Sequence, residues 1–261
     1  MYLFNVMCPV DTRSLTINSK LIRGENMKKL LLIHGWDHNN YTSSGCTDAW
    51  SNRSRFVEAL SRHFEVVRFN LPGFCGEKKP AHPWILSDFA QYLDRVIQRE
   101  KPDIVLGYSF GGAILLNWKA ASDNKTIKAF LVSPAIIRRY ENRSISVGWP
   151  KVILPERLIA LVRDFYLTSV AKNPYYTKAS PVMRETYRNI VSLDLRDDLL
   201  KVSDTLVLIY GEQDSATPPE PVKDLLVSRK SHHQLRVIDG GGHDIANTHT
   251  DELVSTIVNL T

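Results

Sequence analysis

The stretch 103-DIVLGYSFGGAIL-115 joins two apolar runs through three glycines and one serine. The first run is typical of a strand buried in a parallel sheet, and the second is typical of a buried helix. A chain that turns directly from strand to helix strains the turn residue and packs backbone closely around it. Gly107 and Gly111 stand two residues before and after Ser109, where a side chain would obstruct that packing. We therefore expect Ser109 at the carboxyl edge of the sheet, ahead of a helix N-terminus.

Apolar strand patterns alternate with helical patterns along most of the chain. Five further segments have the character of buried strands: 28-KKLLLIHGW-36, 63-HFEVVRFNLPGF-74, 127-IKAFLVSP-134, 205-TLVLIYGEQD-214 and 233-HQLRVIDGGG-242. Helical periodicity fills several of the intervals, as in "SRFVEALSR" and "LSDFAQYLDRVIQRE". This alternation predicts an α/β fold with a mainly parallel sheet and helices on both faces.

One long interval interrupts the alternation. From residue 135 to residue 203 helical patterns are separated by prolines, and no strand-like run occurs. Because strands resume directly afterwards, we expect a helical insertion over 135–203 in a core domain formed by 1–134 and 204–261.

The composition narrows the classes of protein and partner. The 261 residues are 43% hydrophobic, enough for a sizeable core, and the net charge is +5. The cations are dispersed, which favours a solvated basic face and predicts no nucleic-acid partner. No apolar run is long enough to span a bilayer, and the N-terminus lacks the features of a signal peptide.

The number and spacing of the cysteines indicate the redox environment in which the protein is expected to reside. Cys8, Cys46 and Cys75 form neither a CxxC pair nor an even set for disulfides. This pattern predicts free thiols, no metal site and a reducing, cytoplasmic location.

A serine hydroxyl needs a base to take its proton and a carboxylate to orient that base. Asp214 directly follows a strand pattern, and His243 follows another strand and a glycine-rich loop. Both would therefore lie at the same sheet edge as Ser109, and the chain order Ser, Asp, His suits this architecture. Less favoured alternatives are the acids Glu212, Asp239 and Asp244 and the histidines His232, His233 and His249.

An oxyanion also needs backbone N–H donors near the serine. We expect one from Phe110, directly after Ser109, and one from Trp36 in the loop after "LLLIHGW". His34 and Gly35 shape that loop, and a structural hydrogen-bonding role is expected for His34.

The motifs "HGW", "NLPGFCGE", "GYSFGG", "LVSP", "YGEQDSATP" and "GGGHD" resemble, in this order, those of the α/β-hydrolase fold family. The likeness runs from Lys28 to Leu260. It implies an eight-stranded, mostly parallel sheet, a helical cap after the sixth strand, and a catalytic triad of Ser109, Asp214 and His243. In the loop where the family reads D-x-P-G-x-G-x-S, this chain has Asn70 for the aspartate and Cys75 for a glycine.

A serine at the turn disfavours activities of relatives that use an aspartate there, such as haloalkane dehalogenases and epoxide hydrolases. We predict a carboxylesterase for small or medium acyl chains that forms an acyl-enzyme and needs no metal or cofactor. An amidase or aminopeptidase, a carbon–carbon bond hydrolase, or a non-catalytic ligand-binding protein are the alternatives. The expected partner is a small-molecule ester, and the oligomeric state is left open.

Specificity is expected to come from the cap and from residues flanking the serine. Tyr108, where many members carry histidine, is a candidate pocket residue together with Trp149, Phe165 and Tyr166. The cap also offers Tyr175 and Tyr187 as pocket walls, although the helical spacing of all these cap aromatics is more typical of core packing.

Overall fold

A six-stranded parallel sheet forms the centre of the molecule. The computed structural model describes residues 27–42, 45–122, 126–137 and 174–261. Within these ranges the strand order is β2-β1-β3-β4-β5-β6, and all neighbouring pairs are parallel. The strands are β1 (Lys29–Ile33), β2 (Glu65–Phe69), β3 (Ile104–Tyr108), β4 (Lys128–Val132), β5 (Val207–Gly211) and β6 (Gln234–Ile238). The α/β class and the mainly parallel sheet are thereby confirmed.

The expected strand number is wrong for the described chain, which has six strands rather than eight. The six strands are the six apolar runs of the sequence. The number eight followed from the family resemblance alone, and no residue pattern in the described ranges supplies two more strands.

Helices cover both faces of the sheet. In the described ranges they are α1 (Ser54–Ser61), α2 (Leu86–Glu100), α3 (Phe110–Ala121), α4 (Pro174–Thr177), α5 (Pro181–Val191), α6 (Arg196–Lys201), α7 (Glu220–Ser228), α8 (Ile245–Thr248) and α9 (Thr250–Asn259). Side chains alternate along each strand, so β1 sends Leu31 and Ile33 into the core that contains α2 and α3. Leu30 and Leu32 enter the opposite core with α1 and α9. The four central strands β1, β3, β4 and β5 are therefore buried on both faces, as their continuous apolar runs predict, whereas the edge strands β2 and β6 are partly exposed.

The described part of the long interval is helical. Helices α4, α5 and α6 lie between the end of β4 and the start of β5, with no strand among residues 174–203. The interval is tied to the core by hydrogen bonds from the Trp84 amide to Thr186 Oγ1 (3.0 Å) and from the Asn117 side-chain amide to Asp198 Oδ2 (2.7 Å). The boundaries 135–203 stay a prediction, because residues 138–173 are outside the described ranges.

Cys46 and Cys75 form a disulfide, so the prediction that these cysteines are free thiols is wrong. They are 29 residues apart, and the sequence contains an odd number of cysteines. The loops after β1 and β2 bring them together, because these strands are neighbours in the sheet. Cys8 lies outside the described residues. Because disulfides are rare in reducing compartments, the cysteines no longer favour a reducing location for this protein.

Further bonds join the two loops around the disulfide. Asn70 accepts a hydrogen bond from the Ala49 amide (3.0 Å), and its side-chain amide donates to the carbonyls of Thr47 and Cys75 (2.9 Å each). The Cys75 amide donates to the Asn40 carbonyl (2.7 Å). Asn70 and Cys75, the two departures from the family pattern, thus belong to one cross-linked loop pair.

Across the described ranges, we find no helix with the length and apolar character that a membrane crossing requires.

Candidate active site

Ser109 lies on a strained turn between β3 and α3. Its φ of 52° and ψ of −111° fall outside the regions that side-chain-bearing residues usually adopt. A Cβ on Gly107 would lie 2.6 Å from the Gly111 carbonyl carbon, and one on Gly111 would lie 2.8 Å from the His34 carbonyl oxygen. Neither position has room for a side chain. The two glycines therefore permit the sharp turn that presents the serine hydroxyl at the carboxyl edge of the sheet.

Hydrogen bonds connect Ser109, His243 and Asp214. His243 Nε2 is 3.0 Å from Ser109 Oγ, and His243 Nδ1 is 2.8 Å from Asp214 Oδ2. Asp214 follows β5 and is only 2% exposed, whereas His243 follows β6 and is partly open to solvent. The connections that follow β3, β5 and β6 at one sheet edge thus bring together side chains that are distant in sequence.

The surroundings of Asp214 favour its ionised form. Besides His243, it accepts hydrogen bonds from the amides of Ala216 (3.0 Å) and Thr217 (2.8 Å) and from Thr217 Oγ1 (2.8 Å). Burial acts to raise the pKa of Asp214, but the bonds and charge of His243 and the bonds from Thr217 outweigh burial and hold the pKa below its ordinary value of 3.8. The carboxylate can therefore accept a hydrogen bond from Nδ1–H while it stays ionised, and Nε2 is then free to accept the Ser109 proton.

Sequence reasoning did not identify Thr217. The available signal was its position three residues after Asp214, because an aspartate often accepts hydrogen bonds from the next few backbone amides.

The loop after β1 approaches the serine closely. His34 Nε2 accepts a hydrogen bond from the Leu71 amide (2.9 Å), and Nδ1 donates to the Gly35 carbonyl (2.7 Å). Burial lowers the pKa of His34 to about 4, against a weaker raising effect of the Gly35 bond. His34 is therefore a neutral, structural residue. It holds the loop that carries Trp36 against the loop after β2.

Trp36 and Phe110 both line the cavity that contains Ser109. Phe110 is the first residue of α3, where a backbone N–H has no acceptor within the helix. The oxyanion role of these two amides stays a prediction that their placement permits.

The alternative acids and bases lie in other settings. Glu212 accepts a hydrogen bond from the Gly240 amide (3.0 Å), Asp239 is exposed, and Asp244 pairs with Arg53. His233 is buried, and one of its ring nitrogens lies 2.9 Å from the Leu199 carbonyl.

His232 and His249, the other two alternative bases, also lie in other settings. His232 is exposed and contacts the Asp204 carbonyl, and His249 precedes α9 and contacts Thr248. The imidazole that forms a hydrogen bond with Ser109 is that of His243.

A cavity of about 310 Å³ opens beside Ser109. Aromatic rings form one wall, with Trp36 at 5.4 Å from Phe110 and 5.5 Å from Tyr187, and Tyr187 stacked on Tyr175 at 5.1 Å. Tyr175 and Tyr187, whose spacing is more typical of core packing, both line the cavity. Their helical spacing could not separate these two roles.

The other pocket candidates have different outcomes. Tyr108 lies in the cavity wall but is only 2% exposed. Trp149, Phe165 and Tyr166 lie outside the described residues. Arg53, which sequence reasoning did not single out, also lines the cavity. Among the residues that the structure covers, no group of three or more histidine, cysteine or acidic side chains is placed to hold a metal ion.

Comparison with known proteins identifies relatives along most of the chain. The family model described as "Alpha/beta hydrolase family" matches residues 30–256. The pimeloyl-[acyl-carrier protein] methyl ester esterase of Vibrio cholerae is 25% identical over 218 residues, which are 75% of this chain and 80% of the relative.

Solved structures show the same fold. An esterase from Exiguobacterium antarcticum has a TM-score of 0.62 at 18% identity, covering 89% of this chain and 91% of that one. A bromoperoxidase from Bacillus anthracis has a TM-score of 0.65 at 17% identity, covering 90% and 91%. Since the family model matches nearly the whole described core, this chain belongs to the alpha/beta hydrolase family.

Proposed function

We propose that the protein is a serine carboxylesterase for small-molecule esters of small or medium acyl chains. The observation that carries this proposal is the hydrogen-bonded series from Ser109 through His243 to Asp214. Similarity to the Vibrio cholerae methyl ester esterase and to the Exiguobacterium antarcticum esterase supports it.

The site geometry suits two-step acyl transfer. Ser109 Oγ attacks the ester carbonyl carbon as its proton passes to His243 Nε2, and the amides of Trp36 and Phe110 stabilise the oxyanion. The intermediate then expels the alcohol, which takes the proton from His243 and leaves an acyl-serine. Water attacks this acyl-serine with His243 as base, and the carboxylic acid leaves as Ser109 regains its proton. Asp214 stays ionised and stabilises the imidazolium in both steps.

The volume and the lining of the cavity support the proposed size and apolar character of the acyl group. Its volume suits a small or medium acyl chain, and the rings of Trp36, Phe110 and Tyr187 provide an apolar wall next to the nucleophile. The residues named above provide every group that this reaction needs, so we propose that it proceeds without a metal or cofactor.

Hydrolysis of p-nitrophenyl acetate and butyrate tests the proposal. We expect turnover by the wild type and loss of turnover in Ser109→Ala. Ser122→Ala is the matched control, because Ser122 is at the opposite end of α3 and its hydroxyl has no hydrogen-bond partner in the described structure. Equal rates for wild type and Ser109→Ala would refute the assignment of the nucleophile.

The same panel separates the alternatives. An amidase or aminopeptidase would prefer anilide substrates, and a carbon–carbon bond hydrolase would prefer dienones, with both activities lost in Ser109→Ala. A non-catalytic binding protein would turn over none of these substrates, although a small ligand would raise its melting temperature. Because the Cys46–Cys75 disulfide removes the cysteine argument for a cytoplasmic location, that location stays a prediction, which fractionation of the producing cells would test.

A further inference from the structure

Tyr108, the residue before the nucleophile, is bonded to the residue that carries the base. Its hydroxyl donates to the backbone carbonyl of His243 at 2.5 Å and lies 3.4 Å from Asp244 Oδ1. The phenol is buried against Trp50, at a ring distance of 6.2 Å. The strained turn and the histidine loop are therefore joined directly by one side chain.

Arg53 forms a second attachment to the same loop. Its Nε and one terminal nitrogen lie 3.0 and 2.9 Å from Asp244 Oδ1. The guanidinium also lies over the Tyr108 ring, 4.8 Å from its centroid. Only 17% of the Arg53 side chain is exposed, whereas 45% of the Asp244 side chain is, so the charged pair is buried on its Arg53 side and open to solvent on its Asp244 side. One anchor thus holds the carbonyl of His243, and the other holds the carboxylate of the next residue.

The loop needs external support because of its composition. Three consecutive glycines, Gly240 to Gly242, precede His243, and Gly240 has a φ of 62°. Glycines restrict the backbone least, so this segment does little to fix the direction of the imidazole. The Gly240 amide donates to Glu212 Oε2, the Gly241 amide donates to the Ile238 carbonyl, and the Gly241 carbonyl accepts from the Gln213 amide (2.7 Å). These bonds hold the first part of the loop. The two anchors hold the end of the loop at which the imidazole is attached.

We propose that Tyr108 and Arg53 are positioning residues that hold His243 within hydrogen-bonding distance of Ser109. This inference rests on the proposed triad. It assigns Tyr108 a role beyond that of a pocket wall, and it predicts that loss of the phenol hydroxyl affects the reaction more than substrate binding. A shift of about 1 Å in a catalytic group is enough to lower a rate substantially.

Tyr108→Phe tests the proposal, because it removes the hydroxyl and keeps the ring under Arg53. We expect kcat for p-nitrophenyl acetate to fall about 10-fold with little change in KM, and the rate of Ser109 labelling by a fluorophosphonate to fall by a similar factor. Arg53→Gln should have an effect in the same direction. The double variant should lose less than the product of the two factors, since both side chains hold one loop.

Tyr210→Phe is the matched control. The Tyr210 hydroxyl is also buried and also donates to a backbone carbonyl, that of Pro134, at 3.1 Å. This variant should lose a comparable amount of thermal stability while its activity stays near the wild-type rate. A loss in Tyr210→Phe as large as that in Tyr108→Phe would overturn the proposal.

Amide hydrogen exchange of residues 239–244 provides a readout that does not depend on the substrate. Exchange should be faster in Tyr108→Phe and unchanged in Tyr210→Phe. Unchanged exchange in both variants would overturn the inference. If exchange is faster in Tyr108→Phe but the wild type hydrolyses none of the esters, the anchoring of the loop is supported and the proposed function is refuted. Ester hydrolysis at wild-type rates by Tyr108→Phe would refute the inference alone.

Discussion

Removal of the Cys46–Cys75 disulfide should destabilise the protein strongly. The bond joins the loops after β1 and β2, between which Asn40 already accepts a hydrogen bond from the Cys75 amide and Asn70 accepts one from the Ala49 amide. The unfolded oxidised chain is therefore closed into a loop that the reduced chain lacks. We expect the reduced protein, or the double variant Cys46→Ala/Cys75→Ala, to fold but to melt at a lower temperature.

The sequence separation of 29 residues sets the magnitude. The chain-entropy relation gives about 3–4 kcal/mol of stabilisation at 25 °C for a loop of this length. For a protein of this size each kcal/mol corresponds to roughly 2–4 °C in Tm. The expected decrease in Tm is therefore about 7–14 °C.

Calorimetry with and without a phosphine reductant measures this decrease. In denaturant without reductant, one of the three cysteines should react with a thiol reagent, and all three should react after reduction. The reductant should leave the Tm of the double variant unchanged, which is the control. Three reactive thiols in the protein purified without reductant, or a wild-type Tm that reduction does not alter, would refute the reasoning.

Three other predictions concern stability. The pKa of His34 is about 4 in the folded protein and 6.5 ordinarily, so between pH 6.5 and 4 the unfolded chain gains a proton that the folded chain excludes, and the free energy of unfolding should fall by about 3 kcal/mol. Urea unfolding at several pH values should show a weaker pH dependence for His34→Gln than for the wild type. An equal pH dependence in the two proteins would contradict this. The fully buried Lys119 amine is 2.5 Å from Asp204, so Lys119→Met should cost about 2–4 kcal/mol in chemical unfolding, and Lys119→Met/Asp204→Leu should recover much of it. No recovery would point to another cause. Gly111→Ala should lower both Tm and esterase activity, since its methyl group would meet the backbone of the loop after β1; wild-type values would contradict the geometry of the turn.

The parts that could be predicted from the sequence depend on local patterns. Continuous apolar runs located all six strands, and Phe56, Val57 and Leu60 mark the buried face of α1 by their spacing alone. The geometry around Ser109 was also predictable, because a strand, a turn and a helix in direct succession leave few conformations and exclude side chains at Gly107 and Gly111.

The parts that could not be predicted depend on contacts between distant segments. Cys46 and Cys75 meet only because β1 and β2 are neighbours, which pairwise spacing does not reveal. The bond between Tyr108 and the His243 carbonyl spans 135 residues and depends on the order of β3, β5 and β6 in the sheet. Tyr187 shows the same limit, since a helical aromatic can face a core or a cavity with the same periodicity.

Covalent labelling by a fluorophosphonate probe, followed by peptide mass spectrometry, identifies the nucleophile directly. We expect one adduct, on the peptide that contains Ser109, which forms rapidly in the wild type and much more slowly in His243→Ala. Absence of an adduct from the folded protein, or an adduct on a different serine, would contradict the assignment of Ser109 as the nucleophile.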